Sequence, residues 1–488
     1  MSERIERLRV KINKDRWFDK VYGCWVGKNI GGTIGGPFEG SREVVEIDGF
    51  TTPKGSALPN DDLDLQLVWL KAVQEKGPMG ITANALADYW QTYISPHWGE
   101  YGVAHGNLTM GLLPPLSGEF DNDDWKNSNG AWIRSEIWAC LAPGIPSIAV
   151  KYAIMDAMVD HGLSEGTYAE MFVAALESIA FFEENFRALV EKALSYIPDN
   201  CRIAKSVKMV LSEYDNGTAL KDLRQKLIDD SADLGMFQAP ANIGFVVAGL
   251  IYGEGDFKKS ILSAVYCGDD TDCTAATVGA IFGIIYGESN IPADWKEYIG
   301  DGIVTKCINA SYVYSNNFPL TCIELTEVIT DLVDGVLKAH GAALELVDGD
   351  SFIDHEKANK ILEGYAQEIF NRSPYSFEID TTPHAWAVVE YEKAPIIKAG
   401  EGFKIKITVY NKRRDAHHML INAIIPDGWT ADYRKSMLLH QYTLNGEAQT
   451  CEITVYPNEN IVSENKIYVV FESKFNVTPL IVPMVLLG

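Results

Sequence analysis

Basic residues are scarce in this chain. Its 488 residues carry 42 Lys and Arg against 67 Asp and Glu, a formal net charge of −25. Such a surface repels phosphate backbones, which argues against nucleic acid as a partner and leaves cations as natural ones. Long apolar runs are missing too. No stretch approaches the roughly 20 residues of a membrane-spanning helix, so no membrane partner is expected. The N-terminal MSERIERLRVKINKDRWFDK is charged and lacks the apolar centre of a secretory leader. The eight cysteines, Cys24, Cys140, Cys201, Cys267, Cys273, Cys307, Cys322 and Cys451, include no CxxC pair. A chain this large needs no disulfide staples, so reduced thiols in a cytoplasmic protein are the expectation.

What is present is ordinary globular composition, 47% hydrophobic and 22% charged. Up to about residue 370 the apolar spacing is helical: DDLDLQLVWLKAVQ sets Leu63, Leu67 and Leu70 on one face, and TYAEMFVAALESIAFF and ANIGFVVAGLIYG behave likewise. Several helices are apolar over most of their circumference, as in the centre of a large helical domain. After NRSPYSFEIDTTP the period shortens. WAVVEYE, FKIKITVYN, HHMLINAIIP, CEITVYP, IYVVFES and PLIVPMVLLG read as six or seven short strands, which predicts an immunoglobulin-like β-sandwich. The expected division is a helical domain over residues 1–370 and a sandwich over 376–488. MLINAIIPDGW resembles a strand of sandwiches appended to carbohydrate-active enzymes.

Two short stretches concentrate negative charge. In CGDDTDCTAATVGAIFG, Asp269, Asp270 and Asp272 precede a helix whose Ala275, Gly279 and Gly283 recur every four residues. That smooth face allows close approach of another helix. Asp272 falls at or near the N-cap and Asp270 beside the positive end of the dipole. PNDDLDLQL repeats the pattern with Asn60, Asp61 and Asp62 at a helix start. Capping accounts for one acid at each start and not for the rest. Two such starts facing one another would share cations, and hard oxygen ligands favour Mg²⁺, Mn²⁺ or Ca²⁺ over zinc. Capping and metal binding both stand at this point.

Two further segments narrow the choice. GGTIGGPFEG is a glycine-rich turn ending in Glu39, with no GK[ST] to make it a Walker loop. SNGAWIR, Ser128 to Arg134, precedes an apolar helix. In this order the four segments resemble the ADP-ribosylglycohydrolase family, which includes the dinitrogenase reductase-activating glycohydrolases and crystallin J1-like proteins. The resemblance runs over about residues 18–340 and leaves the β region outside.

The resemblance implies a compact all-α fold with two Mg²⁺ ions, Mn²⁺ being an alternative, in a cleft between the acidic helix starts. Asn60, Asp61 and Asp62 would serve one ion and Asp270, Asp272 and Cys273 the other, with Asp272 bridging. Glu39 would stand over the ions. Ser128, Asn129 and Gly130 would line the ribose and phosphate path, Arg134 would brace that loop, and His161 in VDHG would lie beside the substrate. The implied reaction is cleavage at the anomeric carbon of a ribose, with Glu39, Asp61 or Asp62 as acid or base. His161 has the alternative of a hydrogen-bonded histidine at a helix start. His417 and His418, adjacent on a predicted strand, are expected at the surface. His97 and His105 fall in the loop-like SPHWGEYGVAHGN with Trp98 and Tyr101, which would form either a substrate wall or core.

Some positions depart from the family pattern. Gly32 stands for an Asp, Asn60 for Thr or Ser, Leu63 for Thr, Asp160 for the Thr before the histidine, and Cys273 for a hydroxyl residue. Thiol is a poor Mg²⁺ ligand. Three readings remain: a hydrolase of ADP-ribose attached to protein or a small molecule, a hydrolase of another furanoside or N-glycoside using the same metals, and a non-catalytic metal- or ligand-binding protein.

Overall fold

A computed structural model describes residues 7–308, 317–441, 448–474 and 476–488. The helical part is organised around one antiparallel pair, Lys14–Gly35 and Thr271–Tyr286. Their contact is backbone on backbone. A Cβ on Gly23, Gly27, Gly31 or Gly35 would overlap backbone atoms of Gly283, Gly279, Ala275 and Thr271 respectively. Only glycine on the first helix permits this separation, and it brings the end of one helix against the start of the other. The segment expected as a glycine-rich turn is therefore mostly helix. Gly31 to Gly35 belong to its last turns, a short 3₁₀ turn at Gly36–Phe38 follows, and Glu39 ends it.

Around this pair pack helices buried on nearly every side, among them Glu165–Ala180, Ala239–Tyr252 and Asp61–Lys76. Leu63, Leu67 and Leu70 are buried as their spacing predicts, and so are Leu65, Val68 and Trp69. The helical part is not wholly α: strands Leu8–Asn13 and Ala342–Val347 pair in parallel, closing the chain near its N-terminus. Among the described residues no helix is long and apolar enough to cross a membrane, and all eight cysteines are free and buried.

The C-terminal region is two antiparallel sheets enclosing their own core. One runs Leu480–Leu487, Glu464–Ser473, His417–Ile424, Ser436–Leu439; the other runs Ser376–Ile379, Ala385–Tyr391, Phe403–Asn411, Gln449–Tyr456, Thr430–Tyr433. The nine strands among the described residues exceed the six or seven expected, because Thr430–Tyr433 and Ser436–Leu439 are four residues each and carry little apolar pattern. Alternation is clean elsewhere, as in Phe403–Asn411. His418 faces out as expected, whereas His417 is 1% exposed and belongs to the inner face. Leu112 and Leu116 of the helical part pack into the sandwich core.

Candidate metal centre

The acidic helix start after Cys267 is held by its backbone. Asp269 has φ +63°, a conformation Asp tolerates better than most residues. Its N–H donates to the Ser41 carbonyl at 2.7 Å and its carbonyl accepts from Gly40 N at 2.8 Å. These two bonds clamp the segment that follows Glu39 beside the helix start. Asp269 spends its own Oδ1 on the Phe237 N–H at 2.8 Å. The N-cap position is Asp270, not Asp272, and its side chain makes no capping bond. Capping therefore does not explain this cluster.

The second acidic start arrives from helix Asp61–Lys76. Asn60 is its N-cap, and its Oδ1 accepts from Asp62 N at 2.7 Å. Asp62 is fully buried, and neither of its carboxylate oxygens has a hydrogen-bond partner among the described residues. Oδ1 of Asp270 and Oδ1 of Asp272 are unpartnered as well. Buried carboxylate oxygens without donors are costly. Here they converge in two sets whose ligand atoms lie within 4.8 Å of one another: Asp62, Asp272 and Cys273, and Glu39, Asp270 and Asp272. Asp272 is common to both. Such a donor set fits hard divalent cations, with the thiol as the one mismatched member.

Crowding and burial act on these groups together. Burial, reinforced by neighbouring carboxylates, pushes the carboxyls of Asp62 and Asp270 well above the usual range, and burial raises that of Asp272 as well. Lys28, buried behind the cluster and ion-paired to Glu136 at 2.6 Å, opposes the rise at Asp62. Glu39 is exposed at the mouth, yet partial desolvation and Asp272 push its carboxyl up to about 7. Burial and the surrounding aspartates hold the Cys273 thiol well above its usual range, so it stays protonated.

Asp61 belongs to neither set. Its carboxylate lies 3.2 Å from Lys306 Nζ and accepts from the Tyr101 hydroxyl at 3.2 Å. The Ser128–Gly130 loop reaches the cluster through Asn129, whose Nδ2 donates to Asp270 Oδ2 at 2.6 Å. Arg134 braces that loop from beneath. It donates to the Gly130 carbonyl at 2.6 Å and ion-pairs with Asp156 and Asp160. His161 is fully buried, with Nε2 3.1 Å from Ser128 Oγ and Nδ1 2.9 Å from Asp160 Oδ1. It stands behind Ser128, not at an open surface.

Compared with known families, residues 13–326 fit the model described as ADP-ribosylglycohydrolase. The chain belongs to the ADP-ribosylglycohydrolase family. A 47-residue stretch, 10% of the chain, is 47% identical to ADP-ribosylarginine hydrolase Tri1 of Serratia proteamaculans (strain 568), and spans 13% of that protein's length. Among solved structures, an ADP-ribosylglycohydrolase-related protein complex aligns over 66% of this chain and 98% of its own, at 20% identity and a TM-score of 0.42. The FixG-related protein from Vibrio parahaemolyticus aligns over 22% of this chain and 98% of its own, at 11% identity and a TM-score of 0.19.

In this family member several residues beside the centre escape sequence reasoning. Asp64 is buried one turn beyond Asp61; its Oδ2 accepts from the backbone N–H groups of Lys306 and Cys307. That anchors the segment from which Lys306 reaches Asp61 and the Trp98 ring, 5.1 Å from its centroid. The DDLD spacing hints at Asp64; a lone lysine in TKC carries no signal. SPHWGEYGVAHGN is not a loop from Gly99 onward but the helix Gly99–Met110. It directs Tyr101 to Asp61 and buries His105, whose ring lies 4.6 Å from that of His97.

Proposed function

We propose that this protein hydrolyses an N- or O-glycosidic bond at the anomeric carbon of a ribose, in ADP-ribosylated protein or a small ADP-ribosylated molecule. We propose that it requires Mg²⁺, with Mn²⁺ able to substitute. The observation that carries the reading is the convergence of Asp62, Asp270, Asp272 and Glu39, with four buried carboxylate oxygens lacking any donor. Asp272 would hold both ions, Asp62 one and Asp270 with Glu39 the other. Asn60, held to Asp62, and Asp61, paired with Lys306, flank the set, and Cys273 fills a ligand position without serving as a thiolate. Divalent ions there supply Lewis-acid polarisation of an oxygen and offset the charge of the cluster.

The chain's own groups do the rest. Asn129 orients Asp270 through its amide. Glu39, exposed at the mouth within reach of Asp270 and Asp272, is the carboxylate placed to move a proton where substrate enters. Ser128, Asn129 and Gly130 form the substrate-side wall, which Arg134 and His161 support from behind. The reading assigns the whole centre to the helical unit, residues 1–370, and no part of it to residues 376–488.

The name of one relative specifies ADP-ribosylarginine, which makes that linkage the first substrate to try. The test is release of free ADP-ribose from ADP-ribosylarginine and from ADP-ribosylated protein, with Mg²⁺ and with chelator. Release that needs the metal and is lost in Asp272→Asn supports the reading. A second reading, hydrolysis of a furanoside without a nucleotide, is favoured by the Gly32 and Asn60 exchange beside the centre. It predicts cleavage of a simple furanoside and no ADP-ribose release. Metal binding without turnover of either class would point to a non-catalytic role.

A further inference from the structure

A cavity of about 840 Å³ lies in the seam between the helical domain and the sandwich. That volume falls within the range typical of small-molecule sites, about 300–1,000 Å³. It is remote from the acidic cluster. Lys76 lines it, at the opposite end of helix Asp61–Lys76 from the aspartates. At 1.5 Å per residue the two ends are roughly 22 Å apart.

Four cations, Lys76, Lys151, Arg372 and Lys412, and four carboxylates, Asp88, Glu368, Glu378 and Asp380, line this cavity, Lys76 being exposed to solvent. Two are neutralised locally. Arg372 is paired with Glu368 at 2.9 Å and with Glu378, and Lys412 with Asp380. Lys151 differs. Its side chain is partly buried, and no carboxylate among the described residues forms an ion pair with it. Its ammonium lies 5.9 Å from the centroid of the Tyr152 ring and 5.7 Å from that of Tyr365. Burial lowers its pKa, with Glu378 opposing only from a distance. Aromatic faces offset about 0.5–2 kcal/mol of such a desolvation and do not replace an anion. The same cavity is lined by Trp386, held against Tyr410 with centroids 4.1 Å apart and planes at 11°. A flat, backed indole is a platform for a ring with apolar faces.

We propose that this seam is a second binding site, for a sugar-sized organic anion whose carboxylate or phosphate meets Lys151 and whose ring rests on Trp386. The site needs both parts of the chain, since helix Pro146–Ala157 brings the lysine and strand Ala385–Tyr391 the tryptophan. It stands independently of the proposed hydrolysis.

Calorimetric titration of the full chain tests it, with glucuronate, glucose 1-phosphate and glucose as probes. Chelator in the buffer keeps the anions from binding through divalent ions at the acidic cluster. At least one of the two anions should bind, and glucose should bind at least tenfold more weakly; which anion wins tells whether a carboxylate or a phosphate is the group held. Lys151→Met should weaken binding tenfold or more and Trp386→Ala severalfold. Lys412→Met, which removes a cation already paired, should change it less than twofold. A circular-dichroism spectrum and thermal melt of Lys151→Met equal to wild type verify that the variant is folded. Absence of binding by both anions, or affinity unchanged in folded Lys151→Met, overturns the proposal.

Discussion

A Cβ on Gly32 would overlap Nδ2 of Asn60, whose Oδ1 caps Asp62 N at 2.7 Å. The asparagine occupies the room that a side chain at position 32 would take. Asn60 is 5% exposed and cannot swing away without losing its cap. Gly32→Asp alone should therefore cost about 1–3 kcal/mol of stability, the usual range for overpacking. Adding Asn60→Thr should recover much of it, since a shorter side chain still caps. Denaturant unfolding of both singles and the double gives the coupling energy. Additive effects would mean the two positions are independent.

The helix pair that carries the centre makes a sharper prediction. A Cβ on Gly27 meets backbone of Gly279, which no rotamer change can clear. Gly27→Val should destabilise by about 3 kcal/mol or more, the upper end of overpacking costs. It should also weaken divalent-ion binding, because Glu39 and Asp272 follow from the register of this pair. Gly335 lies in helix Cys322–Ala339 with nothing within 4 Å of an added Cβ. Gly335→Ala should be neutral or stabilise by about 0.4–1 kcal/mol. Thermal melts of the two variants check the contrast.

Glu39 ties stability to pH in the metal-free protein. Its folded value, about 7, lies above the ordinary 4.5, so the folded state holds the proton more tightly. The resulting stabilisation is complete below pH 4.5 and disappears as pH rises through about 7. In chelator, wild type should lose more stability than Glu39→Gln between those limits. Divalent-ion affinity should rise with pH over the same window, with proton release on binding. Equal slopes for the two proteins would remove Glu39 from this account.

Cys273 tests how hard the centre is. The thiol lies within ligand reach of Asp62 and Asp272 but stays protonated. Cys273→Thr should keep or strengthen Mg²⁺ binding, since a neutral oxygen suits that ion better. Cys273→Ala should retain it. A large loss of affinity in both variants would make the sulfur a working ligand and shift the preference toward a softer metal.

The acidic clusters of this centre are legible in the sequence because residue type carries them. Aspartates crowded at two helix starts leave capping and a hard-cation site both open, and the order of the four segments weighs toward the cation. The face of Ala275, Gly279 and Gly283 likewise announces a close partner. It does not say which one, and the partner's own glycines read partly as a turn because glycine serves close packing and turns alike. Lys306 is invisible for a different reason. It reaches Asp61 only because Asp64 grips its backbone, a long-range bond no local pattern encodes. Strand alternation separates His417 from His418 but does not say that the inner face is a closed core. The short strands Thr430–Tyr433 and Ser436–Leu439 lack the length to show a period at all.

The central claim is that Asp272 joins two cation positions. Titrating chelator-stripped protein with Mg²⁺ or Mn²⁺ by calorimetry, with metal content measured on the same samples, tests it most directly. The account predicts two ions per chain in wild type and loss of both in Asp272→Asn, with circular dichroism unchanged. An Asp272→Asn isotherm matching that of wild type, or no saturable binding of either ion by wild type, would contradict it.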